Sequence, residues 1–124
     1  MIGVIQASLA AGAAASAPVG FVCSAAGVEV IAPLSVEDAC ARVRSAVEQA
    51  LNTRLADKVA PDGRTVRVTL TFGEVIARAE VTDTRGGRER RLPTLYESSV
   101  DRRLGAGAVD ALARAIGAAL IKEQ

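Results

Sequence analysis

The sequence contains few residues that could perform covalent or metal chemistry. It has no histidine, which removes the usual base for a serine or cysteine nucleophile, and two cysteines are too few for a structural zinc site. The one adjacent acidic pair, Glu37 and Asp38, falls in the first turn of a predicted helix, where acids favour the helix dipole. No glycine stretch matches a phosphate-binding motif. We therefore expect no enzymatic activity, no catalytic residues, no metal and no cofactor.

Arginine is the side chain that offers a binding function. A cluster surrounds the stretch TRGGRERR and two more arginines precede it, so the candidate partner-binding residues are Arg85, Arg88, Arg90, Arg91, Arg67 and Arg78. A solvated hairpin is the alternative interpretation, because charge clusters usually face water. The whole chain has 15 Lys and Arg against 14 Asp and Glu, and no Trp, which argues against a nucleic acid partner. We expect an unknown protein partner that is at least partly acidic.

The spacing of the cysteines argues against a disulfide between Cys23 and Cys40. Cys40 lies about one turn into the predicted helix, whereas Cys23 lies several residues before the first predicted strand. The two sulfur atoms are therefore expected to lie beyond bonding range. Cys40 is then expected to be a small buried side chain.

Two helices and a run of strands must position these residues. The first helix is predicted to begin near Val36, because Ser35 and Asp38 form a capping box, and to end before Pro61. Its apolar residues recur at helical spacing: Val36, Cys40, Val43, Val47, Leu51, Leu55 and Val59. The second helix is predicted in GAGAVDALARAIGAALIK, with a stripe of Val109, Leu112, Ile116 and Leu120 and close approach to the sheet.

The segment between the helices alternates with period two and predicts a meander of three strands. A two-residue turn at Gly73-Glu74 pairs Leu70 with Ala77 and Arg67 with Glu80. A second turn at Gly86-Gly87 sets opposite each other the pairs Asp83 and Arg90, Val81 and Leu92, and Ala77 and Tyr96, the last on the inward face. Pro93 cannot donate to a ladder, so its strand is expected at the edge.

A short strand in GVEVIAP completes a β-α-β-β-β-α order. The predicted fold is α+β and two-layered: a small, mostly antiparallel four-stranded sheet, order 1-2-3-4, with both helices on one face. The other face is expected to be open and to carry Arg67, Thr69, Thr71, Ile76, Arg78 and Glu80.

Residues 1–25 are interpreted as a signal peptide or targeting segment, and residues 26–124 as a single domain. The opening stretch consists of apolar and small residues, and cleavage-compatible alanines precede the predicted strand, although the basic residues that usually begin a signal peptide are missing from this stretch. Pro18 disfavours a cut after Ala17, which leaves Ala25 or an earlier alanine. Ordinary folded structure and a retained membrane anchor are the alternatives.

The leading hypothesis is a small exported protein, periplasmic or secreted, that acts as a non-enzymatic binding or accessory module with no stable membrane span in its mature form. The alternative is a cytosolic protein that binds nucleic acid or another anion through the arginine-rich hairpin. A third hypothesis, a carboxylate-dependent hydrolase, lacks a pair of acids that the sequence places in one pocket.

Overall fold

A mixed six-stranded sheet carries two helices on one face. The computed structural model describes residues 19–60, 62–98 and 104–123. Its elements are β1 (Val19–Ala26), a 3-10 helix (Val28–Ile31), α1 (Val36–Leu51), β2 (Leu55–Ala56), β3 (Arg64–Phe72), β4 (Ile76–Arg85), β5 (Arg88–Arg91), β6 (Leu95–Ser98) and α2 (Ala106–Lys122). The strand order is β2-β1-β3-β4-β5, and β6 also pairs with β4. The predicted α+β class is confirmed, and a short extra strand, β2, joins the sheet.

The first strand lies earlier in the chain than expected. β1 runs from Val19 to Ala26 parallel to β3, and the predicted strand in GVEVIAP is a 3-10 helix instead. Gly27 ends the strand with a φ of 78°, and a Cβ there would lie 2.2 Å from the carbonyl oxygen of Phe72, so only glycine fits. Residues 1–18 of the expected targeting segment lie outside the described residues, whereas residues 19–25 form most of β1.

The prediction that the cysteines stay apart is wrong. Cys23 lies in the middle of β1 and Cys40 lies on α1, with a Cα–Cα distance of 5.8 Å, and the two form a disulfide. The cysteines were predicted to lie apart because the first strand was expected after Cys23, whereas the strand contains this residue. With the strand at its true position, the side chain of Cys23 faces the helix layer and meets α1.

The capping box of α1 is confirmed. The backbone N–H of Asp38 donates to Ser35 Oγ at 3.1 Å, and the backbone N–H of Ser35 donates to Asp38 Oδ2 at 3.0 Å. The helix ends at Leu51, earlier than predicted, because Asn52 adopts a left-handed conformation with a φ of 53°. Leu55 therefore lies in β2 and is not helical.

The apolar stripe of α2 is buried as predicted, but its close approach is to the other helix. A Cβ at Gly117 would lie 3.1 Å from the Cβ of Ala50 and 3.3 Å from the carbonyl oxygen of Ala46, both on α1. The small residues of α2 thus allow the two helices to pack tightly above the sheet.

The faces of the hairpin strands are confirmed, but one register is shifted. Leu70 pairs with Ala79 instead of Ala77, because Gly73 does not adopt the positive φ of a two-residue turn and the loop is longer. A shift of two residues keeps every side chain on its face. Arg67 therefore lies opposite Thr82 and not opposite Glu80.

The second hairpin matches its prediction up to Pro93 and departs from it afterwards. Gly86 and Gly87 both have positive φ, and Asp83 pairs with Arg90 as predicted. Beyond Pro93 the register slips by one residue, so Tyr96 pairs with Arg78. Its side chain is consequently 64% exposed on the outer face, and the inward placement was wrong.

Candidate partner-binding surfaces

The face of the sheet opposite the helices is uncovered over β3, β4, β5 and β6. We call this surface the open face; its exposed side chains are Arg67, Thr69, Ile76, Arg78, Glu80, Arg91 and Tyr96. Residues that lie opposite each other on neighbouring strands share a face, so the pairings fix the layout. Thr82 has Arg67 on one side and Arg91 on the other, and Arg78 lies beside Tyr96.

Chain segments cover the open face at its β2 end. A Cβ at Gly20 would lie 2.1 Å from the carbonyl oxygen of Lys58, so the segment after β2 crosses directly over β1 there. The hydroxyl of Thr65 accepts a hydrogen bond from the backbone N–H of Ala60 at 2.8 Å, which holds this crossing in place. The accessible part of the open face therefore begins beyond Thr65.

The predicted arginine set is divided between the two faces of the sheet. Arg67, Arg78 and Arg91 lie on the open face, while Arg85 and Arg90 lie on the helix side, where they meet the end of α2. A cavity of about 510 Å³ on that side is lined by Asp83, Arg85, Arg88, Glu89, Arg90 and Glu123. The hairpin is thus not one continuous basic patch.

Asp83 is the buried centre of the helix-side cluster. Its side chain is 1% exposed and accepts hydrogen bonds from Arg64, at 3.0 Å from Nε and 2.8 Å from Nη2, and from Arg85 Nη2 at 3.2 Å. Burial raises the pKa of this carboxyl, but its hydrogen bonds, chiefly with Arg64, outweigh burial and hold the pKa at about 2. Asp83 is therefore ionised at neutral pH and acts as a structural group.

Glu123 lies next to Asp83 at the end of α2. Its pKa is raised, first because its protonated carboxyl hydrogen-bonds to Asp83 and second because it is buried; Arg90, 3.3 Å away, opposes the shift. Arg85 lies 3.7 Å from Glu123 Oε1, which accepts no hydrogen bond. The two carboxyls share one environment with opposite shifts, an arrangement that also occurs in acid–base pairs.

A carboxylate-dependent hydrolase needs two acids in one pocket, and Asp83 and Glu123 do line one cavity. Against it, both oxygens of Asp83 already accept hydrogen bonds from Arg64 and Arg85, and its side chain is almost fully buried. The geometry therefore supports an ion-pair network that joins α2 to the sheet better than it supports catalysis. Among the described residues, no group of three or more side chains is arranged to hold a metal ion.

A second cavity, of about 470 Å³, lies beside the disulfide. Its walls come from β1 through Phe21, Val22 and Cys23, and from α1 through Cys40 and Ala41. Three charged side chains also line it: Glu37, Arg44 and Asp57. Arg44 forms ion pairs with Asp57 and with Glu48, the latter at 3.5 Å, and donates to the carbonyl oxygen of Leu55.

Neither the helix-side network nor this second cavity was predicted from the sequence. The predicted pairing of Asp83 with Arg90 placed an acidic residue on the buried face of the sheet. A buried ion pair could have been predicted from this placement. Nothing in the sequence indicated that Glu123, at the end of α2, would reach Asp83. The cavity beside the disulfide depended on the position of β1, which was predicted wrongly.

Within residues 19–60, 62–98 and 104–123, no helix combines the length and apolar character needed to cross a membrane.

No protein-family model matches the chain, and no curated protein matches it. Solved structures do match. A crystal structure of an uncharacterized protein is 18% identical with a TM-score of 0.52, covering 86% of this chain and 87% of that one. The N-terminal domain of Thermus thermophilus Protein Y is 14% identical with a TM-score of 0.42, covering 86% and 99%. The likeness to the uncharacterized protein concerns the fold alone.

Proposed function

We propose that this protein is an exported, non-enzymatic binding module, periplasmic or secreted, that docks an acidic protein partner on the open face. The observation that carries the proposal is the state of the open-face arginines. Arg67, Arg78 and Arg91 are exposed, and among the described residues no carboxylate lies within 4.0 Å of their guanidinium groups. By contrast, Arg85 and Arg90 already pair with acids of the same chain.

Unpaired arginines on a sheet of threonines suit a polar protein surface. The neighbouring Thr69, Thr71 and Thr82 offer hydroxyl groups, and a sheet presents them in fixed rows. Arginine forms bidentate contacts with carboxylates, so an acidic partner gains both orientation and an increased rate of encounter.

The disulfide supports the exported part of the proposal. Disulfides persist in oxidising compartments and are rare in the cytosol, and the Cys23–Cys40 bond joins the first strand to the first helix. Because β1 begins at Val19, a cut after Ala25 would remove Cys23 and nearly the whole strand. The proposal therefore narrows to a mature protein that begins between Ser16 and Val19 or slightly earlier.

Two measurements on protein isolated from its native host test the compartment. N-terminal sequencing should find a first residue that lies after Met1 and no later than Val19, and intact mass after thiol alkylation should find Cys23 and Cys40 unalkylated. A native product that starts at Met1 and has both thiols alkylated would contradict export.

Photo-crosslinking tests the binding surface. A photoreactive residue at Thr69, in the centre of the open face, should crosslink one identified partner in the native host. The same residue at Arg114, exposed on α2, is the control and should not. A partner captured equally from both positions, or only from Arg114, would contradict docking on the open face.

A second candidate, a single-stranded nucleic acid partner, is favoured by one observation. Tyr96 is 64% exposed beside Arg78, and a base can stack on such an aromatic ring with arginine nearby. The test is titration with a labelled single-stranded oligonucleotide. Nucleic acid binding predicts that Tyr96→Ala weakens affinity about fivefold or more while Tyr96→Phe does not, since stacking contributes roughly 1–3 kcal/mol per base. Equal affinity of both variants would remove this candidate.

A further inference from the structure

The outer edge of β1 is free over most of its length. β2 pairs with β1 only at Val19 and Gly20, and among the described residues no strand pairs with that edge from Phe21 to Ala26. In a strand the backbone groups of alternate residues point to opposite edges, so every second residue in this stretch presents its N–H and C=O away from β3. These groups form a ready template for another strand.

The cavity beside the disulfide lies along this free edge. Val22 faces the open side of the sheet and Cys23 faces the helices, yet both line the cavity, so it opens onto the edge of β1 itself. The Cys23–Cys40 bond fixes α1 beside the strand and forms part of the floor with Phe21 and Ala41. A strand edge walled by a helix can bind an extended peptide, with main-chain hydrogen bonds for affinity and a pocket for side-chain specificity.

The side chains around the free edge of β1 indicate which kind of polypeptide segment could bind there. β1 carries no charged residue and no proline from Val19 to Ala26, so it lacks the side chains that usually protect an edge. The floor of the cavity is apolar, and Arg44 is already neutralised by Asp57. Glu37 is exposed on the rim with no cation within 4.0 Å among the described residues.

We propose that the free edge of β1 binds an extended segment of another polypeptide as an added strand, with a small apolar side chain on the disulfide floor and a basic side chain at Glu37. This site is separate from the open face and from the acidic partner proposed there. Main-chain hydrogen bonds to β1 orient the bound segment along the strand, and Glu37 favours a segment with a basic side chain.

The test uses a displayed library of random linear peptides selected against the full chain with its disulfide formed. Selected peptides should combine a basic residue with alternating small apolar residues, and should slow amide hydrogen exchange within Phe21–Ala26. Glu37→Lys should weaken their binding about tenfold or more, Glu37→Gln should weaken it less, and Glu89→Lys, at the far hairpin, should leave it unchanged. Intact mass and circular dichroism establish that each variant keeps its disulfide and fold.

Three results would overturn the proposal. Selected peptides that protect another part of the sheet, or that bind Glu37→Lys normally, would show that this edge is not the site. Protection, in the free monomer, of those Phe21–Ala26 amides that point away from β3 would show that another part of the chain already covers the edge. Concentration-dependent protection together with a dimer in sedimentation would show that the edge binds a second copy of the chain instead.

Discussion

Arg64 contacts both carboxylate oxygens of the buried Asp83, with Nε 3.0 Å from Oδ1 and Nη2 2.8 Å from Oδ2. The pair joins β3 to β4 on the face that packs against the helices. A buried charge is tolerated only when it is paired, so the register of the two strands and the stability of the core depend on this contact.

Removal of the arginine should therefore be costly. Arg64→Leu leaves Asp83 with only its weaker neighbours and should lower the free energy of unfolding by about 3–5 kcal/mol. Arg67→Leu, on the same strand but exposed on the open face, should change it by less than about 0.5 kcal/mol. Urea unfolding of both variants measures the difference, and similar losses at the two positions would contradict the assignment of Asp83 to the core.

Stability should fall in acid because of Asp83. The folded pKa of about 2 lies below the ordinary value of 3.8, so the ionised carboxylate stabilises the fold fully above about pH 3.8, and that contribution is lost as the pH falls toward 2. In Asp83→Asn this part of the pH dependence should be absent. The measurement is the free energy of unfolding in urea from pH 2 to pH 5. If the variant shows the same dependence on pH as the wild type, other carboxyl groups cause the loss of stability in acid.

Glu123 should have the opposite effect. Its pKa in the folded protein is raised above 4.5, so its protonated form contributes stability below that value, and the contribution is lost as the pH rises through the folded pKa. Glu123→Gln should therefore become more stable relative to the wild type as the pH rises from 4 to 7. If the variant instead becomes relatively less stable, attraction to Arg85 and Arg90 outweighs the contact with Asp83.

The disulfide closes a loop between residues 17 apart in sequence. By the chain-entropy argument, a loop of that size stabilises the fold by about 3 kcal/mol. The Cys23→Ser, Cys40→Ser double variant should be less stable by that amount, and reductant should lower the stability of the wild type while leaving the variant unaffected. If reductant does not change the stability of the wild type, the Cys23–Cys40 disulfide does not form in solution.

The two faces of β3 give a matched pair of substitutions. Leu70 is fully buried and Thr69 is exposed beside it. Leu70→Ala should destabilise by about 2–4 kcal/mol and Thr69→Ala by less than about 0.5 kcal/mol. Equal losses in urea unfolding would contradict the assigned faces.

The sequence predicted those elements whose signals are local. The capping box at Ser35 fixed the start of α1, and strict alternation fixed the faces of β3 and β4 even though their register was shifted by two residues. The position of β1 was missed because it follows directly on an apolar, alanine-rich stretch of sequence that resembles a targeting segment, while its strand character depends on pairing with β3. The disulfide, the network at Asp83 and the cavity beside Cys23 depend on long-range contacts, which local patterns do not encode.

The proposal that the open-face arginines receive an acidic partner can be tested by association kinetics. Once crosslinking from Thr69 has identified that partner, its association rate can be measured at low and high salt with a variant in which Arg67, Arg78 and Arg91 are serine. The matched control replaces Arg54, Arg114 and Lys122, which removes equal charge elsewhere. Only the open-face variant should associate more slowly at low salt and lose most of the salt dependence of its association rate. An unchanged rate at both salt concentrations, or equal slowing in the control, would contradict the claim.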